Sequence, residues 1–111
     1  MPSVNIYTNR ERIKPLEKIL EGLREVTAKE LSCEDRTLES DEISLRVLAP
    51  DASLQKADTE LEIKAYSFDA RVKRQDTICL SIKDYVERTC PQAGSVYVWL
   101  QLSELGHSAE K

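Results

Sequence analysis

Residues 60–66 read Glu-Leu-Glu-Ile-Lys-Ala-Tyr, and they restart a pattern that residues 3–8, Ser-Val-Asn-Ile-Tyr-Thr, have already run once. Both stretches alternate apolar with polar side chains, the period-two signature of a half-buried strand. A helical pattern follows each. After the first strand, Leu16, Ile19, Leu20, Leu23, Val26 and Leu31 recur at helical spacing and predict an amphipathic helix over 14–31. Pro15 then falls in the first turn, where its missing N–H is not needed. After the second strand, Val72, Cys79, Ile82 and Val86 form one stripe of a helix over 69–88, with Ser67 and Asp69 as capping residues. Each helix leads into a further strand, Ile-Ser-Leu-Arg-Val-Leu-Ala at 43–49 and Val-Tyr-Val-Trp-Leu-Gln-Leu at 96–102.

The order is therefore β-α-β, a linker over 50–58, and β-α-β again. Repeat one spans about 2–50 and repeat two about 59–104, within a single domain over 1–111. A strand–helix–strand crossover makes a parallel, right-handed pair. Two such units give an α/β (α+β) fold, one four-stranded mixed sheet with both helices on one face. The sets Val4/Ile6, Ile43/Leu45/Val47, Leu61/Ile63/Ala65 and Val96/Val98/Leu100 should face the helices. The opposite face carries Tyr7, Leu48, Tyr66, Tyr97 and Trp99, too aromatic for bare solvent. Another copy of the chain is the simplest cover.

Composition narrows the function. The chain of 111 residues has 16 basic and 20 acidic side chains, a net charge of -4, and a 41% apolar content sufficient for a core. This acidic balance argues against nucleic acid, whose phosphates need clustered Lys and Arg. No stretch approaches the roughly 20 apolar residues of a membrane span. The start, Met1-Pro2-Ser3-Val4-Asn5, has no signal-peptide layout. Cys33, Cys79 and Cys90 are odd in number and form no C-x-x-C pair, which implies a reducing, cytoplasmic setting without a disulfide framework. The lone histidine, His107, excludes most His-based metal sites and reads as a solvated tail residue. No cofactor or metal is called for.

A Met-Pro start running into a strand, within a doubled β-α-β chain of this length, resembles the tautomerase superfamily. That group includes 4-oxalocrotonate tautomerase, 5-carboxymethyl-2-hydroxymuconate isomerase, macrophage migration inhibitory factor (MIF) and the cis-3-chloroacrylic acid dehalogenases. The residues that carry the resemblance are Pro2, Arg12-Ile13-Lys14-Pro15, Leu45-Arg46-Val47 and Trp99-Leu100-Gln101-Leu102-Ser103-Glu104. It implies the tautomerase/MIF fold, a homotrimer, and a cofactor-independent keto-enol isomerase whose base is an N-terminal proline. Removal of Met1 would leave Pro2 a free secondary amine. Apolar burial and neighbouring arginines both disfavour its charged form, so the amine serves as a general base near neutral pH. Substrates would be small 2-oxo or 2-hydroxy-dienoic acids, their carboxylate held by arginine.

The sheet suggests which arginines. If a pseudo-twofold axis relates the repeats, strands 1 and 3 run antiparallel, and Pro2 lies near the end of strand 3. That end runs into Arg71 and Arg74, three apart on one helix face; Arg10 and Arg12 fall at the opposite end. Arg71, then Arg74, are the expected carboxylate binders. Arg46 sits on the non-helix face and reaches a site only across a subunit boundary. Trp99 holds the equivalent position in repeat two and would wall an apolar pocket or fill the subunit contact. The counterpart of Pro2 is Thr59, in mid-chain, so one amine site per chain is expected.

Departures from the dehalogenase pattern set the alternatives. Its helix histidine is Lys29 here, its strand tyrosine is Gln101, and its water-activating tail carboxylate has no clear match, with Glu104 at the strand's end. Proton transfer is favoured over hydration or dehalogenation, with decarboxylation and a non-catalytic binding role as the other readings.

Overall fold

The computed structural model describes residues 2–51 and 54–104; Met1 and His107 lie outside them. Four strands form one sheet in the order β2-β1-β3-β4, with β1 Ser3–Tyr7, β2 Ser44–Leu48, β3 Thr59–Tyr66 and β4 Val96–Ser103. β1 pairs parallel with β2 and β3 parallel with β4, while the central pair β1–β3 is antiparallel. The doubled β-α-β reading and its pseudo-twofold arrangement are borne out.

The alternation also assigns the faces correctly. Val4, Ile6, Leu61, Ile63, Ala65 and Val96 are buried beneath the helices, with Leu45, Val47, Val98 and Leu100 packed partly against the same cluster. That cluster joins side chains of both repeats into one core. The other face exposes Leu48, Tyr66, Tyr97 and Trp99, with Tyr7 half-buried. Among the described residues no helix is long and apolar enough to cross a membrane.

The helices depart from expectation. Each is broken in two: α1 Arg10–Glu17 and α2 Leu20–Leu31 in repeat one, α3 Asp69–Lys73 and α4 Gln75–Thr89 in repeat two. α1 begins four residues before the expected start, so Pro15 lies inside it rather than in its first turn. Pro15 has no N–H for the Glu11 carbonyl and its ring crowds that turn. The chain leaves the α conformation at Ile19 (φ -107°, ψ 0°). Ile19 donates to Leu16 at 3.0 Å, and Leu23 restarts the ladder on the Ile19 carbonyl at 2.8 Å. Repeat two breaks alike at Arg74 (φ -109°, ψ 11°) without a proline. This break resets the helical phase. Val72 therefore points to solvent, and the buried stripe is Ile78, Ile82 and Val86. The position before α3 is Phe68, and no side chain caps it, so neither Ser67 nor Asp69 takes that role.

α2 packs on α4, where a Cβ on Gly22 would meet the Tyr85 hydroxyl. The turn into β4 is pinned by Gly94, at φ 73°, where a Cβ would run into the Asp58 carboxylate. Gly94→Ala is both strained and crowded. It is expected to destabilise the chain by about 1–3 kcal/mol, read as a lower urea midpoint at unchanged slope.

Candidate active site at the start of β1

Pro2 immediately precedes β1 and is buried. Its carbonyl accepts the Ser44 N–H at 3.3 Å, which fixes it to the start of β2. On the other side, Ser3 pairs with Lys64 in the antiparallel ladder. One step further, Pro2 stands opposite Ala65, and Tyr66 follows as the last residue of β3. The antiparallel centre thus brings Pro2 beside the segment leading to Arg71, as the sheet argument anticipated.

Arg71 is placed differently from an open carboxylate-binding fork. It is only 2% exposed. Its Nε donates to the Leu31 carbonyl and its Nη1 to the Tyr66 carbonyl, both at 2.8 Å. The guanidinium lies 4.8 Å from the Phe68 ring centroid. Burial lowers its pKa from the ordinary value; the nearby Cys33 thiol opposes that shift and Arg36 adds to it. Arginine nevertheless stays charged in proteins.

Arg74 and Arg71 do not share one helix face, because α3 ends at Lys73 and Arg74 is the break itself. Arg74 donates from Nη1 to the Glu30 carbonyl at 3.1 Å and from Nη2 to Glu30 Oε1 at 3.0 Å. The two arginines of repeat two thus converge on the C-terminal carbonyls of α2 in repeat one. Those carbonyls lack helical N–H partners and carry the negative end of the helix dipole, so cations suit them. Glu30 and Phe68 were not picked out from the sequence. An acid in the last turn of a helix, unfavourable there unless a cation faces it, was the available signal for Glu30.

Arg46 and Trp99 stand elsewhere. Ladder partners run Arg46–Asn5–Glu62–Trp99 across all four strands on the exposed face. Asn5 donates to Glu62 at 3.3 Å in the middle of this row. Arg46 makes no hydrogen bond or ion pair with another described residue, and Trp99 is 53% exposed. The single chain does not bring either to Pro2. Lys29 is exposed on α2 and Gln101 exposed on β4.

The opposite end of the sheet holds Arg10 and Arg12, as expected. Arg10 faces Asp51 at 3.4 Å and Arg12 faces Asp58 at 3.9 Å. A shallow cleft of about 200 Å³ there is lined by Thr8, Asn9, Pro50, Gln55, Ala57 and Asp58. Thr59, the counterpart of Pro2, is buried, donates to the Ala93 carbonyl at 2.7 Å and meets the Thr8 hydroxyl at 3.2 Å. No group of three or more His, Cys, Asp or Glu that could hold a metal occurs among the described residues.

No sequence-family profile matches the chain, and no curated protein matches it by sequence. Solved structures do match. A macrophage migration inhibitory factor-like protein from Entamoeba histolytica superposes with a TM-score of 0.65 at 10% identity, over 96% of this chain and 95% of that one. A 5-carboxymethyl-2-hydroxymuconate delta-isomerase does so at 0.67 and 11%, over 98% and 87%. A fused 4-OT, an asymmetric trimer, does so at 0.65 and 7%, over 98% and 94%.

The Asp58 contacts generate a pH prediction. Its carboxyl accepts the Ser95 N–H at 2.9 Å and the Ser95 hydroxyl at 3.1 Å. These bonds, backbone first, hold its pKa below the ordinary 3.8 against the opposing effect of desolvation, and the Arg12 charge adds a smaller push in the same direction. A depressed carboxylate stabilises the fold above its unfolded pKa, and that contribution is lost as pH falls through the folded pKa. The stability gap between the wild type and Asp58→Asn should therefore hold constant near neutrality and close as acid is taken below 3.8, measured by urea titration at each pH.

At these identities the likeness establishes the fold, and the chain has the tautomerase/MIF fold, a four-stranded mixed sheet with its helices on one face.

Proposed function

We propose that this chain is a cofactor-independent tautomerase acting on a small 2-oxo or 2-hydroxy-dienoic acid, with Pro2 as general base. The observation that carries the reading is a buried proline at position 2, heading a central strand of this fold beside a cation-bearing turn. Once Met1 is removed, that nitrogen is a secondary amine whose ordinary relative, the α-amino group, titrates near 8, roughly. Burial opposes protonation. From a 2-hydroxy-dienoic acid the uncharged amine takes the hydroxyl proton and delivers it to a carbon of the diene as the carbonyl forms; from a 2-oxo acid it takes the proton of the carbon beside the carbonyl and returns it at the conjugate position. No redox or metal step is needed for that exchange.

Arg74 is the carboxylate binder the chain itself offers, through a guanidinium that is reached from solvent. Arg46 supplies a second one if a neighbouring copy lays its exposed sheet face over the Pro2 end. Covering Leu48, Tyr66, Tyr97 and Trp99 removes an apolar surface from water, and a closed ring of three copies does so with identical contacts. Trp99 then walls the apolar side of the pocket. The solved fused 4-OT is a trimer, which supports that assembly. Three unpaired cysteines favour a reducing, cytoplasmic setting.

Pro2 is tested first. Intact mass should lack methionine, and phenylenolpyruvate should turn over with kcat/KM rising with pH through a group titrating between roughly 5.5 and 8. Pro2→Ala should lose roughly 100- to 10,000-fold. Activity that survives this change sinks the base assignment, and turnover of 3-haloacrylates instead of phenylenolpyruvate would move the reading to hydration. Glu30 competes with substrate for Arg74, so Glu30→Gln should lower KM severalfold at unchanged kcat; an unchanged KM removes Arg74 from the site. For assembly, Trp99→Asp combined with Tyr97→Asp should convert a three-chain particle to monomer in sedimentation equilibrium.

A further inference from the structure

Arg71 is an unusual residue to bury. A cation taken from water needs compensation, and the usual one is a carboxylate. Among the described residues Arg71 has no carboxylate partner within ion-pair distance. It is compensated instead by two main-chain carbonyls and an aromatic face. Leu31, at 2.8 Å, is the last residue of α2. Tyr66, also at 2.8 Å, is the last residue of β3. Phe68, with its ring centroid 4.8 Å away, precedes α3. The ends of α2 and β3, one from each repeat, and the residue before α3 therefore meet on one side chain.

These contacts have a common location. β3 ends one residue beyond the position across the ladder from Pro2, and Arg71 joins that end to the end of α2. The planar fork and rigid stacking suit Arg71 to fix angles between elements, which the flexible ammonium of lysine does poorly. A guanidinium spent on two carbonyls is badly placed to close a bidentate grip on a substrate carboxylate.

We infer that Arg71 is a positioning residue, which ties the ends of α2 and β3 together behind Pro2 and acts on the reaction through the placement of that nitrogen, not by holding substrate. This rests on the reading of Pro2 as the base. Loosening the tie moves the base relative to the carbon it must reach, and misplacement by about 1 Å costs up to roughly 100-fold in rate. Such a loss falls on kcat, whereas loss of a carboxylate ligand falls on KM.

The test measures kcat and KM separately on phenylenolpyruvate, with circular dichroism confirming the fold at the assay temperature. Arg71→Met keeps the stem and removes the donors; kcat should fall roughly 10- to 100-fold with KM within about twofold of wild type. Arg71→Lys, which keeps charge and one donor group, should recover part of kcat. Phe68→Leu leaves Arg71 in place and removes only its stacking partner, and should lower kcat severalfold at constant KM. That variant decides the matter if Arg71→Met does not fold. A folded Arg71→Met with KM raised tenfold and kcat intact overturns the inference. So does a folded Phe68→Leu with wild-type kcat. Pro2→Ala, run alongside, fails independently: if it retains activity, the base assignment falls, whatever Arg71 does.

Discussion

The antiparallel pairing of β1 with β3 is the constraint from which the rest of this molecule follows. Each repeat alone supplies only two parallel strands and a broken helix, too little to bury a core. Joined back to back, the two repeats share one cluster in which Val4 and Ile6 meet Leu61 and Ile63. The same pairing makes the two ends of the sheet chemically unlike. At one end Pro2 leads into β1 beside the end of β3, whose Tyr66 carbonyl accepts from the same Arg71 that bonds the end of α2. At the other, Thr59 is buried in a hydroxyl pair and Asp58 is latched to Ser95. Pseudo-symmetry supplies two corresponding places, one holding Pro2 and the other Thr59 in mid-chain.

A second consequence lies at the end of α2. Its last carbonyls accept from Arg71 and Arg74, both contributed by repeat two. These bonds satisfy groups that would otherwise be orphaned at a helix terminus, and they place positive charge against the negative end of its dipole. A device that stabilises the junction of the repeats thereby gathers two cations at the end of α2. Arg71 is committed to it, while Arg74, paired with Glu30 near the surface, remains exchangeable. The division of labour between two neighbouring arginines comes from burial, not from residue type.

Much of this was legible in the chain itself. Alternation in 3–8, 43–49, 60–66 and 96–102 placed all four strands within a residue or two and put Val4, Ile63 and Trp99 on their correct faces, because period-two burial is a local pattern. The helix breaks were not legible. Pro15 reads as a first-turn proline until the start at Arg10 is known, and Arg74 has no glycine or proline to mark it. The stripe read through Val72 failed for the same reason: periodicity assumes an unbroken axis. The burial of Arg71 was hidden more deeply. In Asp-Ala-Arg-Val-Lys-Arg it looks like any surface helix cation, and its acceptors, the carbonyls of Leu31 and Tyr66, leave no trace in side-chain chemistry. Pairings between main-chain groups distant in sequence are set by tertiary structure alone.

The proposed chemistry stands on the state of one nitrogen. Nitrogen NMR of protein labelled with ¹⁵N-proline observes it directly, without substrate or turnover. The Pro2 signal should be that of a secondary amine that titrates between roughly pH 5.5 and 8. An amide signal, which shows Pro2 still bonded to a preceding residue, or an amine that stays protonated beyond about pH 9, would contradict the account.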